Sequence, residues 1–136
     1  MFVSILRQGD FLIASIHAAL DDSELIRFQD DLIRQIGELR SHGIIIDVAA
    51  LDVLDSFASN SLRQLAQMAR LRGAMTVIVG IRPDVAFAIV QLGMTLNIRT
   101  ALDLEEGLEY LESVTAGRRT GGSTLGALRD GVARTR

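Results

Sequence analysis

The run Gly43-Ile44-Ile45-Ile46-Asp47-Val48 constrains this chain more than any other segment. Successive β-branched side chains fit a pleated surface that is covered on both faces, so the run predicts a buried central strand. Asp55-Ser56-Phe57 follows eight residues after Asp47. From there the spacing Phe57/Ala58, Leu62, Leu65 and Met68/Ala69 marks one face of a helix that extends to about Arg72 and is closed by Gly73. Ser56 therefore stands at a helix N-terminus. That end carries unpaired N–H groups and a partial positive charge, so an anion such as a phosphate is accommodated there without melting the helix.

The flanking segments extend the same alternation. Phe2–Leu6 and Phe11–Ile16, joined by Gln8-Gly9-Asp10, predict an antiparallel hairpin with Gly9 in the turn. Asp21-Asp22-Ser23 supplies N-cap candidates for a helix bearing Leu25, Phe28, Leu32, Ile33, Ile36 and Leu39, with Gly43 as its C′ residue. Met75–Val79 predicts another buried strand, and Pro83-Asp84 opens a short helix that stops at Gly93. Asn97-Ile98-Arg99 predicts a short edge strand. Asp103 with Glu106 makes a capping-box-like start for a last helix carrying Leu104, Leu108 and Leu111, and the folded body ends near Ser113. The order predicts an α/β fold: a mixed sheet of four to five strands with an N-terminal antiparallel hairpin and about four helices, the later strands joined by right-handed crossovers.

Composition narrows the chemistry. With 136 residues, 49% of them hydrophobic, the chain is long enough for one domain with a substantial core. Cysteine is absent, which removes disulfides, thiolate nucleophiles and sulfur-bound zinc. All 14 basic residues are arginine, which removes a phosphate-loop lysine, a Schiff base and a lysine partner for a phospho-aspartate. Residues 1–114 hold nine Arg against sixteen Asp and Glu, a net of −7, whereas 115–136 hold five Arg and one Asp. That split predicts an acidic domain over 1–114 and a basic, Gly/Ser/Thr-rich tail over 115–136 that is disordered. The tail lacks aromatics to stack bases and is tethered to an acidic body, so a solvated end is preferred to nucleic-acid binding. No basic n-region and no apolar segment of membrane-spanning length is seen, and the expectation is a soluble cytoplasmic protein with no membrane partner.

The order of elements, together with Leu20-Asp21-Asp22, the Ile-Asp strand, Asp55-Ser56-Phe57, Gly80-Ile81-Arg82-Pro83, Phe28-Gln29-Asp30-Asp31-Leu32 and Thr100–Leu108, resembles the STAS domain family over roughly residues 1–114. The likeness is to its small, single-domain stressosome branch. It implies a non-enzymatic scaffold that assembles with sensor-type STAS proteins into a large complex and captures a serine/threonine switch kinase. Phosphorylation of Ser56 would release that kinase, and a phosphatase would reset the serine. The resemblance also places Asp21 and Asp22 on the same rim as Ser56, which makes Asp21, Asp22, Asp55, Phe57 and Asn60 the expected kinase-facing residues. It implies no cofactor and no metal.

Other readings compete at the same residues. Ser56 is a natural N-cap for the amide of residue 58 or 59. Ser59 and Ser61 are alternative phospho-acceptors, but they lie inside the helix. Asp47, Asp52 and Asp55 suggest a receiver-type or magnesium site, yet the acidic pair and the lysine such a site requires are missing, and Asp47 more simply ends its strand on loop amides. Leu54–Ala58 lacks the glycines of a nucleophile elbow, and His17 and His42 at element ends make neither a base nor a metal site. A free anti-sigma-factor antagonist is the runner-up within the same fold. A small nucleotide-binding sensor using the Gly80–Pro83 loop is the alternative from another class.

Overall fold

The computed structural model describes residues 2–91, 93 and 96–123. β1 (Val3–Gln8) and β2 (Phe11–Ile16) form the expected antiparallel hairpin. Its turn passes through Gly9 at φ 60°, a conformation open to glycine at no steric cost. Then follow α1 (Asp22–Leu39), β3 (Gly43–Asp47), α2 (Ser56–Leu71), β4 (Met75–Val79), α3 (Pro83–Gln91), β5 (Arg99–Ala101) and α4 (Leu104–Ser123). The five strands lie side by side in chain order, and every pairing after the hairpin is parallel.

The isoleucine run is covered on both sides, as its composition requires. Ile44, Ile46 and Val48 join Leu12, Ala14, Ile16 and Ile78 beneath Phe28, Leu32 and Ile36 of α1 and Leu62, Leu65 and Ala69 of α2. Ile45 points the other way, with Phe11, Ile13, Val77 and Val79, onto Leu111 of α4. The register sets Ile13, Ile45 and Val77 in one row across three strands, so a slip of one residue would exchange the two cores.

Several boundaries differ from the sequence expectation. The first helix ends at Leu39 and is closed by Arg40, which takes the left-handed conformation (φ 52°), and not by Gly43. Gly43 opens β3 for a different reason: a Cβ there would lie 2.9 Å from both Phe11 Cδ1 and Leu111 Cδ1, so the glycine lets α4 approach the sheet. The last strand starts at Arg99, two residues later than expected, because Asn97 is left-handed (φ 53°) and breaks the extended run. The last helix is capped as expected, with Asp103 Oδ1 accepting from Glu106 N at 2.9 Å. It runs past Ser113, and Thr115 is fully buried with its hydroxyl donating to Leu111 O at 2.7 Å, so the boundary expected at residue 114 falls inside α4. The rest of the expected tail, 124–136, lies outside the described residues.

Candidate functional site

Because β2, β3 and β4 run parallel, the loops that leave their carboxyl ends share one rim of the sheet. The β2–α1 loop brings Asp21 and Asp22 to it, and the β3–α2 loop brings Asp52, Asp55 and Ser56.

Each loop is fixed by its own acid. Asp21 caps α1, accepting from Glu24 N at 2.8 Å, while the Glu24 carboxylate accepts from Asp21 N at 2.8 Å in a complete capping box. The Glu24 amide, and then the Ser23 hydroxyl at 3.0 Å, hold the Asp21 carboxyl below its ordinary value by favouring the charged form. Asp22 is the first residue of α1 and is exposed. Asp47 ends β3 by accepting from Ala49 N at 2.9 Å, the structural role expected of it.

Asp55 caps α2, its Oδ1 accepting from Ala58 N at 2.8 Å. Ser56 is thus the first residue of the helix and not its cap, which corrects the capping reading by one position. Its side chain is exposed, and the amide it was expected to satisfy is already taken. A cap of this kind contributes about 1 kcal/mol, and it is supplied without the serine hydroxyl. Ser59 and Ser61 are only 1% and 6% exposed, which places both out of reach of an enzyme acting on the folded chain. The Ser61 carbonyl also accepts from Gln29 Nε2 at 2.7 Å, tying α2 to α1 beneath the rim.

Phe57 is 39% exposed and Asn60 lies open one turn later, its side-chain oxygen accepting from the Arg63 guanidinium. A shallow cleft of about 50 Å³ between the two loops is lined by Leu20, Val53, Leu54, Asp55 and Ala58. The rim thus carries the carboxylates of Asp21, Asp22, Asp52 and Asp55 and the exposed apolar side chains of Val53 and Phe57. Val53, 61% exposed, escaped the sequence reading. Its signal was an apolar residue between Asp52 and Asp55 that belongs to no helical or strand period. The Gly80–Pro83 loop stands on the same carboxyl edge, but Gly80 (φ 81°) is packed against the chain itself, where a Cβ would lie 2.9 Å from Ala49 Cβ. His17 and His42 do not meet: the former pairs with Ser4 Oγ at 3.0 Å, and the latter lies 3.9 Å from Asp10 at the opposite end of the sheet.

The STAS domain profile matches residues 3–107, well over half the chain. The chain belongs to the STAS domain family. This STAS domain is 33% identical to a solved variant of RsbS from Moorella thermoacetica that carries a serine-to-glutamate substitution, with 84% of this chain and 97% of that one covered and a TM-score of 0.73. A chain from the solved molecular architecture of the stressosome is 31% identical, with 82% and 97% covered and a TM-score of 0.66. The RsbT co-antagonist protein RsbRA of Bacillus subtilis (strain 168) is 30% identical over 97 residues. That match takes in 71% of this STAS domain chain but 35% of RsbRA, so the chain spans about a third of that relative's length. Among the described residues, no helix is long and apolar enough to cross a membrane.

Proposed function

We propose that this chain is a non-enzymatic, cytoplasmic STAS scaffold and antagonist protein of a stressosome-like complex in a general stress response. It sequesters an RsbT-like serine/threonine switch kinase and releases it when Ser56 is phosphorylated, and a phosphatase acting on phospho-Ser56 restores capture. The observation that carries this reading is the division of labour at the start of α2: Asp55 holds the helix, and among the described residues the exposed Ser56 hydroxyl has no hydrogen-bonding task. Likeness to RsbS along nearly the whole of that protein supports the same reading.

The surroundings of Ser56 suit a switch. A phosphate adds about −1.5 to −2 charges to a rim that already bears Asp21, Asp22, Asp52 and Asp55. The Ala58 amide is engaged by Asp55, so the phosphate is not absorbed into the cap and its charge faces outward. The kinase would dock on Phe57 and Val53 with a complementary basic surface around Asp21, Asp22, Asp55 and Asn60. A bulky dianion in the middle of that contact removes it.

The second reading, a free anti-sigma-factor antagonist acting as a monomer or dimer, uses the same serine and differs in size. Co-expression with a sensor-type, RsbR-like STAS protein is expected to yield a co-purifying particle of very high mass in light scattering. Recovery of only monomers or dimers would assign the chain to the free antagonist class instead.

A further inference from the structure

At the end of the sheet opposite Ser56, where α1 and α2 finish and β3 and β4 begin, an open cleft of about 570 Å³ is lined by Gly37, Arg40, Ser41, His42, Arg72 and Gly73. Two unfavourable backbone choices converge on it. Arg40 closes α1 in the left-handed conformation (φ 52°, ψ 46°), a position at which glycine carries no steric cost and arginine does. Gly37 sits inside α1, where alanine would make the better helix. A Cβ at Gly37 would collide with the Arg72 guanidinium, whose Cζ would be 3.3 Å away, so the glycine leaves the seat in which Arg72 reaches across from the end of α2. One choice retains a guanidinium where glycine fits better, and the other makes room for a second guanidinium in the same cleft.

Neither arginine is neutralised: among the described residues, no ion pair is formed by Arg40 or Arg72. His42 Nδ1 is shielded from solvent without a hydrogen-bond partner, 3.9 Å from Asp10 Oδ2. Arginine near a helix C-terminus is favoured by the dipole, which accounts for positive charge there. It does not account for the glycine at 37 or for the missing glycine at 40.

We propose that this cleft is a binding site for the phosphate group of a small molecule, gripped by the Arg40 and Arg72 guanidiniums. Planar guanidiniums match phosphate oxygens in paired, charge-assisted hydrogen bonds. The Asp10 carboxylate and the carbonyl ends of α1 and α2 oppose an anion here, so occupancy requires both arginines. Free phosphate and a nucleotide-borne phosphate share this chemistry.

The test is a titration of the ¹⁵N-labelled full chain with sodium phosphate, and separately with adenosine monophosphate, at constant ionic strength. Saturable shifts are expected at the Gly37, Ser41, His42 and Gly73 amides. Tighter binding of adenosine monophosphate identifies a nucleotide source, and equal binding identifies free phosphate; both support the site. Arg72→Gln is expected to weaken binding about tenfold. Gly37→Ala and Arg40→Gly are expected to weaken it similarly while leaving the melting temperature unchanged or higher, since each improves the local backbone. Absence of saturable shifts at these amides with both probes, or undiminished affinity in Gly37→Ala and Arg40→Gly, would overturn the proposal.

Discussion

Replacing Ser56 with aspartate is expected to weaken capture of the switch kinase at least about a hundredfold, whereas Ser56→Ala is expected to bind as the unmodified chain does. The size follows from the cost of placing an uncompensated charge in a protein contact, about 3 kcal/mol, and a hundredfold corresponds to about 2.7 kcal/mol. The asymmetry follows from the cap. Because Asp55 and not Ser56 accepts from the Ala58 amide, neither substitution removes the helix stop, and an acidic residue at the first position of α2 agrees with the helix dipole. Both variants should therefore fold alike, and a difference in kinase affinity reads the charge alone. Isothermal titration with the purified kinase measures it, and equal affinities for Ser56→Asp and Ser56→Ala would remove the switch from Ser56.

The largest expected effect on stability is at Leu65. It is fully buried in the core between α1, α2 and the sheet, and Leu65→Ala should destabilise the domain by about 3 kcal/mol through lost burial and the cavity left behind. Leu71, six residues on in the same helix, is 88% exposed, and Leu71→Ala should change stability by no more than about 0.5 kcal/mol. Urea unfolding of the two variants, compared at equal m-value, checks the contrast. Since Leu65 anchors the helix that displays Ser56, amide exchange along α2 should accelerate in Leu65→Ala alone. A loss below about 1 kcal/mol at Leu65 would mean that α2 is not held by this core.

The order of elements and the two-sided burial of the Ile44–Ile46 run were legible because period and composition are local signals. The shared rim came only through the family resemblance; in the structure the parallel pairing of β2 and β3 makes the loops after them neighbours. Misread features depend on partners remote in sequence or on a choice between adjacent residues. Gly43 looked like a helix stop, yet its lack of a side chain answers to Leu111, far along the chain. Asp55 and Ser56 are both good caps, and propensity does not rank them; only the backbone shows that Asp55 has extended angles and Ser56 helical ones. Val53 belonged to no periodic pattern, so its place beside the rim cleft appeared only with the fold. The Arg40–Arg72 cleft joins residues from the ends of two helices whose meeting no single segment encodes.

The central claim is that Ser56 is the acceptor that switches this scaffold. Peptide mass spectrometry of the folded chain after incubation with the switch kinase and Mg-ATP, beside Ser56→Ala, tests it most directly. A single phosphate on the peptide containing Ser56, absent from the variant, is the predicted result. A phosphate on any other residue, or none with a kinase active on a control substrate, would contradict it and leave Ser56 as the first residue of a helix and nothing more.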